Sequence, residues 1–147
     1  MDPKVAPSLL SPAQIDQEEA GSPARALLEW WSAFQYADDD GVLKMTSPDV
    51  LNAVGANRLA QLVRLVRFNL PGIKIVSFDV EQDQAVVRAL LLAYTLDKQG
   101  NVVEASFSGT PRSFAWAREG DDWRFDEQSY VEELLQQYVE ELQNTDL

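Results

Sequence analysis

The sequence of 147 residues contains no histidine and no cysteine. The first absence removes Ser-His triads, imidazole general bases and most zinc and haem sites; the second removes thiol nucleophiles and disulfides. With no thiol at stake, cysteine usage leaves the redox compartment open. Basic residues are scarce, 12 against 24 acids, and the net charge of −12 opposes nucleic acid as a partner. Long hydrophobic runs are missing too. The longest, Ala89 to Tyr94, is strand-sized, far from the roughly 20 residues a membrane-spanning helix needs, so no membrane insertion is expected. What is present is 46% apolar and 10% aromatic content, enough for one folded domain with a core.

Residues 1–22 mix Pro, Ser, Gln and acids and have neither a basic start nor an apolar stretch. This reads as a flexible linker or tail rather than a signal peptide. A tail that follows a trimmed signal or anchor slightly favours an extracytoplasmic setting. Charge is distributed unevenly. Glu119 to Leu147 holds ten acids against Arg124, a net −9, whereas Ser47 to Lys74 sets Arg58, Arg64, Arg67 and Lys74 against Asp49, a net +3. A dipolar molecule of this kind favours head-to-tail contacts or small anions.

Ser22-Pro23 is a helix start, with Leu27, Leu28, Trp31 and Phe34 on one face of a helix reaching about Ala37. Asp38-Asp39-Asp40-Gly41 interrupts it, and Asp40 is expected to cap a short second helix through Val42, Leu43 and Met45. These aspartates lack the ligand spacing of a calcium loop. Ser47-Pro48 begins a third helix that ends before Pro71-Gly72. The period then changes to that of strands over 73–80, 85–97, 102–118 and 122–126, separated by hairpin-like turns. Ser129 to Glu132 reads as a capping box opening a last helix over 129–147, whose stripe includes Tyr130, Val131, Leu134 and Leu142.

Two details refine the strands. One extra residue at Gly109-Thr110-Pro111 would bring Phe107 to the face of Phe114 and Trp116, which predicts a bulge and a bent sheet. The second strand is apolar on both parities, so both faces should be covered, one by the opening helices and the other by the last helix or a second subunit. A homodimer is expected.

Three helices followed by four strands, with Ala-Asp-Asp-Asp-Gly at 37–41 and Arg-Glu-Gly-Asp-Asp-Trp-Arg-Phe-Asp at 118–126, resemble the nuclear transport factor 2-like superfamily. Its ketosteroid isomerase-like and polyketide cyclase-like branches are similar. The resemblance covers about Ser22 to Asp126 within a domain of 23–128. It implies an α+β fold: three N-terminal helices packed in a strongly curved four-stranded antiparallel sheet, a cystatin-like cone, followed here by the amphipathic helix. Isomerases of that superfamily use an Asp base after the second helix, with Tyr and Asp as oxyanion donors. This chain has no acid between Asp49 and Asp79, and the histidines of the dehydratase and cyclase branches are absent.

The remaining candidates are few. Trp30 and Trp31 point about 100° apart on a helix, so Trp31 is assigned to the core and Trp30 to the cone mouth or an interface, where it could stack on a ligand. Arg88 and Glu104 interrupt adjacent strands and form a cross-strand ion pair, or else Arg88 anchors a carboxylate or phosphate. Trp116 and Tyr94 join them as ligand-contacting residues. Arg64 and Arg67 read as a solvated helix face. Neither a metal nor a cofactor is expected. The leading function is a non-catalytic domain that binds a small apolar or anionic ligand in the cone or serves as an accessory or dimerisation module. The alternative is a proton-transfer enzyme of isomerase or lyase type on a small hydrophobic substrate, with Asp79 as base and Tyr94 as donor. A third reading gives the acidic last helix a basic partner, because Glu140 and Glu141 lie at its negative end.

Overall fold

The fold was analysed in a computed structural model that describes residues 9–140 apart from Ser108. Helix α1 (Pro12–Asp16) lies inside the segment read as a tail. Its capping box joins Ser11 and Gln14 reciprocally, and the buried Leu10 donates its N–H to Gln35 Oε1 at 2.9 Å. Helix α2 (Pro23–Gln35) starts where expected, with Ser22 Oγ accepting from the Arg25 N–H. For α3 (Asp39–Lys44) the cap is Asp38, which accepts from Gly41 N, and not Asp40. The expected third helix is two, α4 (Pro48–Val54) and α5 (Ala56–Val66), because the chain turns at Gly55 with φ 89°. A side chain resists that conformation and glycine does not. A single 3₁₀ turn at Arg67–Asn69 leads into the sheet.

The sheet has five antiparallel strands: β1 (Ile73–Glu81), β2 (Gln84–Leu96), β3 (Val102–Phe107), β4 (Arg112–Glu119) and β5 (Asp122–Phe125). β3 and β4 are the two halves of the expected third strand and lie along the same edge of β2. Leu92 opposes Phe107 and Ala89 opposes Arg112. Two residues of β2 therefore face four of the other strand. The insertion is two residues rather than one, with Gly109 at φ 92°. An even insertion sets Phe107 against Leu92, at the parity opposite to the partners of Phe114 and Trp116. Those two oppose Val87 and Ala85 on the concave face. A second bulge at Val76 of β1 adds curvature.

The concave face is filled. Trp30, Trp31, Phe34, Phe114, Trp116 and Phe125 are all fully buried, so Trp30 is a core residue together with Trp31. The two indoles reach different partners: Trp30 stacks on Phe125 at 3.9 Å, and Trp31 meets Phe114 edge-on at 5.7 Å. Helix α6 (Gln128–Gln137) completes the plug, with Tyr130 stacked on Trp31 at 5.5 Å and edge-on to Phe114 at 5.3 Å. It starts one residue before Ser129, whose hydroxyl bonds Glu127 instead of capping the helix. Because α6 joins the inner layer, it does not cover the convex face of β2. Leu142 and Glu141 fall outside the described residues. Replacing Tyr130 with Ala should destabilise the fold by about 3–5 kcal/mol, the usual cost of deleting a core ring, measured by urea unfolding.

Candidate functional site

Among the described residues, buried polar side chains on the inner layer other than Trp116 are engaged in structural bonds. Trp30 Nε1 donates to Thr46 Oγ1 at 3.0 Å, and that hydroxyl donates to the Val42 carbonyl. Gln35 ties Leu10 to the Leu70 carbonyl, and Trp31 Nε1 donates to the Pro71 carbonyl at 2.7 Å. Ser47 Oγ donates to Asp126 at 2.6 Å and caps α4. Trp116 is buried opposite Ala85 with its ring edge-on to Phe125, and its Nε1 has no hydrogen-bond partner. The interior of the cone beneath the helices is thus occupied by side chains.

The strand candidates lie apart. Asp79 opposes Val86 on the convex face, its side chain 74% exposed, and pairs with Arg88 at 2.8 Å. Tyr94 is eight residues further along β2, on the part paired with β3. At about 3.3 Å per residue the two stand roughly 25 Å apart. No single small substrate spans that gap. Arg88 opposes Ser77 and Ser113, whereas Glu104 opposes Thr95, so these two do not pair either. Arg64, read as solvated, bonds Asp39 and draws that carboxyl below its ordinary value. Among the described residues no group of three acids is placed to hold a metal ion, and no helix is long and apolar enough to cross a membrane.

Two surface clefts went unforeseen because each joins residues distant in sequence. One, about 300 Å³, lies between the segment around α1 and the start of β1, with Leu10, Leu28, Ile73, Ile75 and Phe107 lining it. The other, about 240 Å³, is bounded by Phe78, Val80, Arg118, Trp123 and the turn at 19–23. Elsewhere, Arg112 clamps Glu133 of α6 and covers the Tyr130 ring at 4.9 Å. The hydrogen bond to Arg112 holds the Glu133 carboxyl below its usual range, while burial pushes the Tyr130 phenol up.

No family model matches the sequence, and no curated protein does. Among the solved structures similar to the chain are the following three. A SEC-C motif-containing protein of Psychrobacter arcticus superposes with TM-score 0.51 at 13% identity, over 81% of this chain and 78% of that one. A Streptomyces avermitilis protein of the NTF2-like family gives 0.45 at 13% identity, over 78% and 93%. An NTF2-like protein of Campylobacter jejuni gives 0.44 at 16%, over 71% and 98%. The chain has an α+β fold: opening helices, a curved and unclosed antiparallel sheet, and a closing helix.

Since the Glu133 carboxyl is depressed in the folded state, its pairing stabilises the protein above the ordinary carboxylate pKa and is lost as pH falls through the lowered one. Glu133→Gln should cost less than about 1 kcal/mol near neutrality, because the pair is partly solvated. That difference should vanish once pH has fallen below the lowered Glu133 value, as read from thermal melts across pH.

Proposed function

We propose that the chain is a non-catalytic assembly domain that forms a homodimer through the convex face of β2 and the β2–β3 ribbon. The observation that carries this reading is where apolar surface remains. β3 pairs with β2 alone among the described residues, and the ribbon exposes Tyr94, Leu96 at 57%, and Val103. A two-stranded ribbon is marginally stable by itself in water. Val86, Arg88 and Leu90, half-buried on the adjoining convex face, continue the surface. A twofold-related copy offers the same surface in return and would bury both.

The filled concave face supports a non-catalytic role, as does the distance between Asp79 and Tyr94. Rings occupy the volume in which a small substrate would be held, and Asp79 and Tyr94 do not converge on it. The accessory part of the reading concerns what the assembly carries.

Sedimentation equilibrium at about 10 μM should show a species of twice 16.5 kDa. The double substitution Tyr94→Ser with Leu96→Ser should return it to a monomer with unchanged circular dichroism. A wild-type chain that stays monomeric over that range contradicts the proposal.

A further inference from the structure

We propose that the cleft bounded by Phe78, Val80, Arg118 and Trp123 is a binding site for a small aromatic monocarboxylate. Phe78 and Val80 oppose Val87 and Ala85, which places them on the concave face. They lie at the exposed end of that face, 39% and 46% accessible, where two large apolar side chains form one wall. Trp123 opposes Arg118, whose guanidinium lies 4.5 Å over the indole ring. Pro23 and the preceding turn bound the remaining side.

Arg118 names the ligand's charge. Arg25, Arg64, Arg88, Arg112 and Arg124 each have a carboxylate within ion-pair distance. Among the described residues Arg58, Arg67 and Arg118 have none, in a chain with twice as many acids as bases, and of these three Arg118 is the one that lines a cleft. It is instead laid on an aromatic ring beside an apolar wall. A planar guanidinium held there can present its fork of donors to a carboxylate. Apolar walls with one orienting charge are the usual construction of a small-molecule site, and about 240 Å³ suits a single-ring acid. Glu19 on the rim disfavours a second negative charge.

The test titrates phenylacetate into the full chain and follows the Trp123 indole N–H by nuclear magnetic resonance. Saturable binding in the millimolar range or tighter is expected, with benzyl alcohol and phenethylamine each at least about tenfold weaker. Arg118→Met keeps the apolar stem and should weaken phenylacetate by about tenfold or more, whereas Glu19→Gln should tighten it by about twofold. Val80→Glu, a change at an exposed position, should also abolish binding if Arg118→Met fails to fold. Equal binding by Arg118→Met, equal binding of phenethylamine, or no saturable shift up to about 10 mM would overturn the proposal. So would a change of Arg118→Met in sedimentation alone, which would make the cleft a contact between copies. The convex face lies on the other side of the sheet, so failure of the dimer leaves this outcome readable.

Discussion

The stack of Trp30 on Phe125, with planes 10° apart, is the contact on which the rest of the fold depends. It joins the long helix to the last strand across the concave face of the sheet. The same junction is held by backbone: Phe125 N–H donates to Met45 O at 2.7 Å, and Ser47 N–H donates to Phe125 O at 2.8 Å. Thr46, between those two residues, accepts from the Trp30 indole. One locus therefore sets the position of α2, the start of α4 and the edge strand β5. Once α2 is placed, Trp31 points to Phe114, and Tyr130 of α6 can close over both.

Energy explains why this matters for function. Holding open an apolar cavity of about 300 Å³ costs on the order of 7 kcal/mol at roughly 24 cal/mol per Å³. Whole-domain stability is only about 5–15 kcal/mol. A chain that keeps such a hollow needs a compensating gain, and here six buried rings and Tyr130 fill the space. Aromatic pairs add about 0.5–1.5 kcal/mol each beyond their burial. The helix-covered part of the concave face thus serves stability, and recognition moves to surfaces the helices leave bare, the exposed end of that face among them.

Much of the architecture was legible in the sequence. Ser22-Pro23 and Ser47-Pro48 mark real helix starts, and the change from helical to strand period after Gly72 falls where β1 begins. Local signals of this kind depend on neighbours in the chain. Gly55 was a weaker signal, since an isolated glycine in a helical pattern can be tolerated and only the fold reveals its positive φ. The separation of Trp30 and Trp31 into core and surface failed for a different reason. A helix buried between a sheet and other helices has apolar neighbours on more than one side, which periodicity alone does not reveal. The candidate site was least legible. Arg88 and Glu104 sit on adjacent strands, but the pairing register, fixed by two inserted residues near Gly109, sets Arg88 against Ser113 and Glu104 against Thr95.

The excess of acid also acquires a structural meaning. Most arginines with a carboxylate partner tie one element to another: Arg25 reaches Asp16 of α1, Arg64 of α5 reaches Asp39 of α3, and Arg112 of β4 reaches Glu133 of α6. Each such pair spends a scarce cation on fixing the fold. A cation held instead over an indole, at the end of a sheet where Phe78 and Val80 remain accessible, has its charge left for something outside the chain. The same scarcity limits what the convex face can do, since Arg88 is already matched to Asp79 and adds little net charge there. In the proposed dimer, contact across that face would therefore rest on apolar burial by Tyr94, Leu96 and Val103, which is insensitive to salt, whereas the proposed recognition at Arg118 would weaken as ionic strength rises.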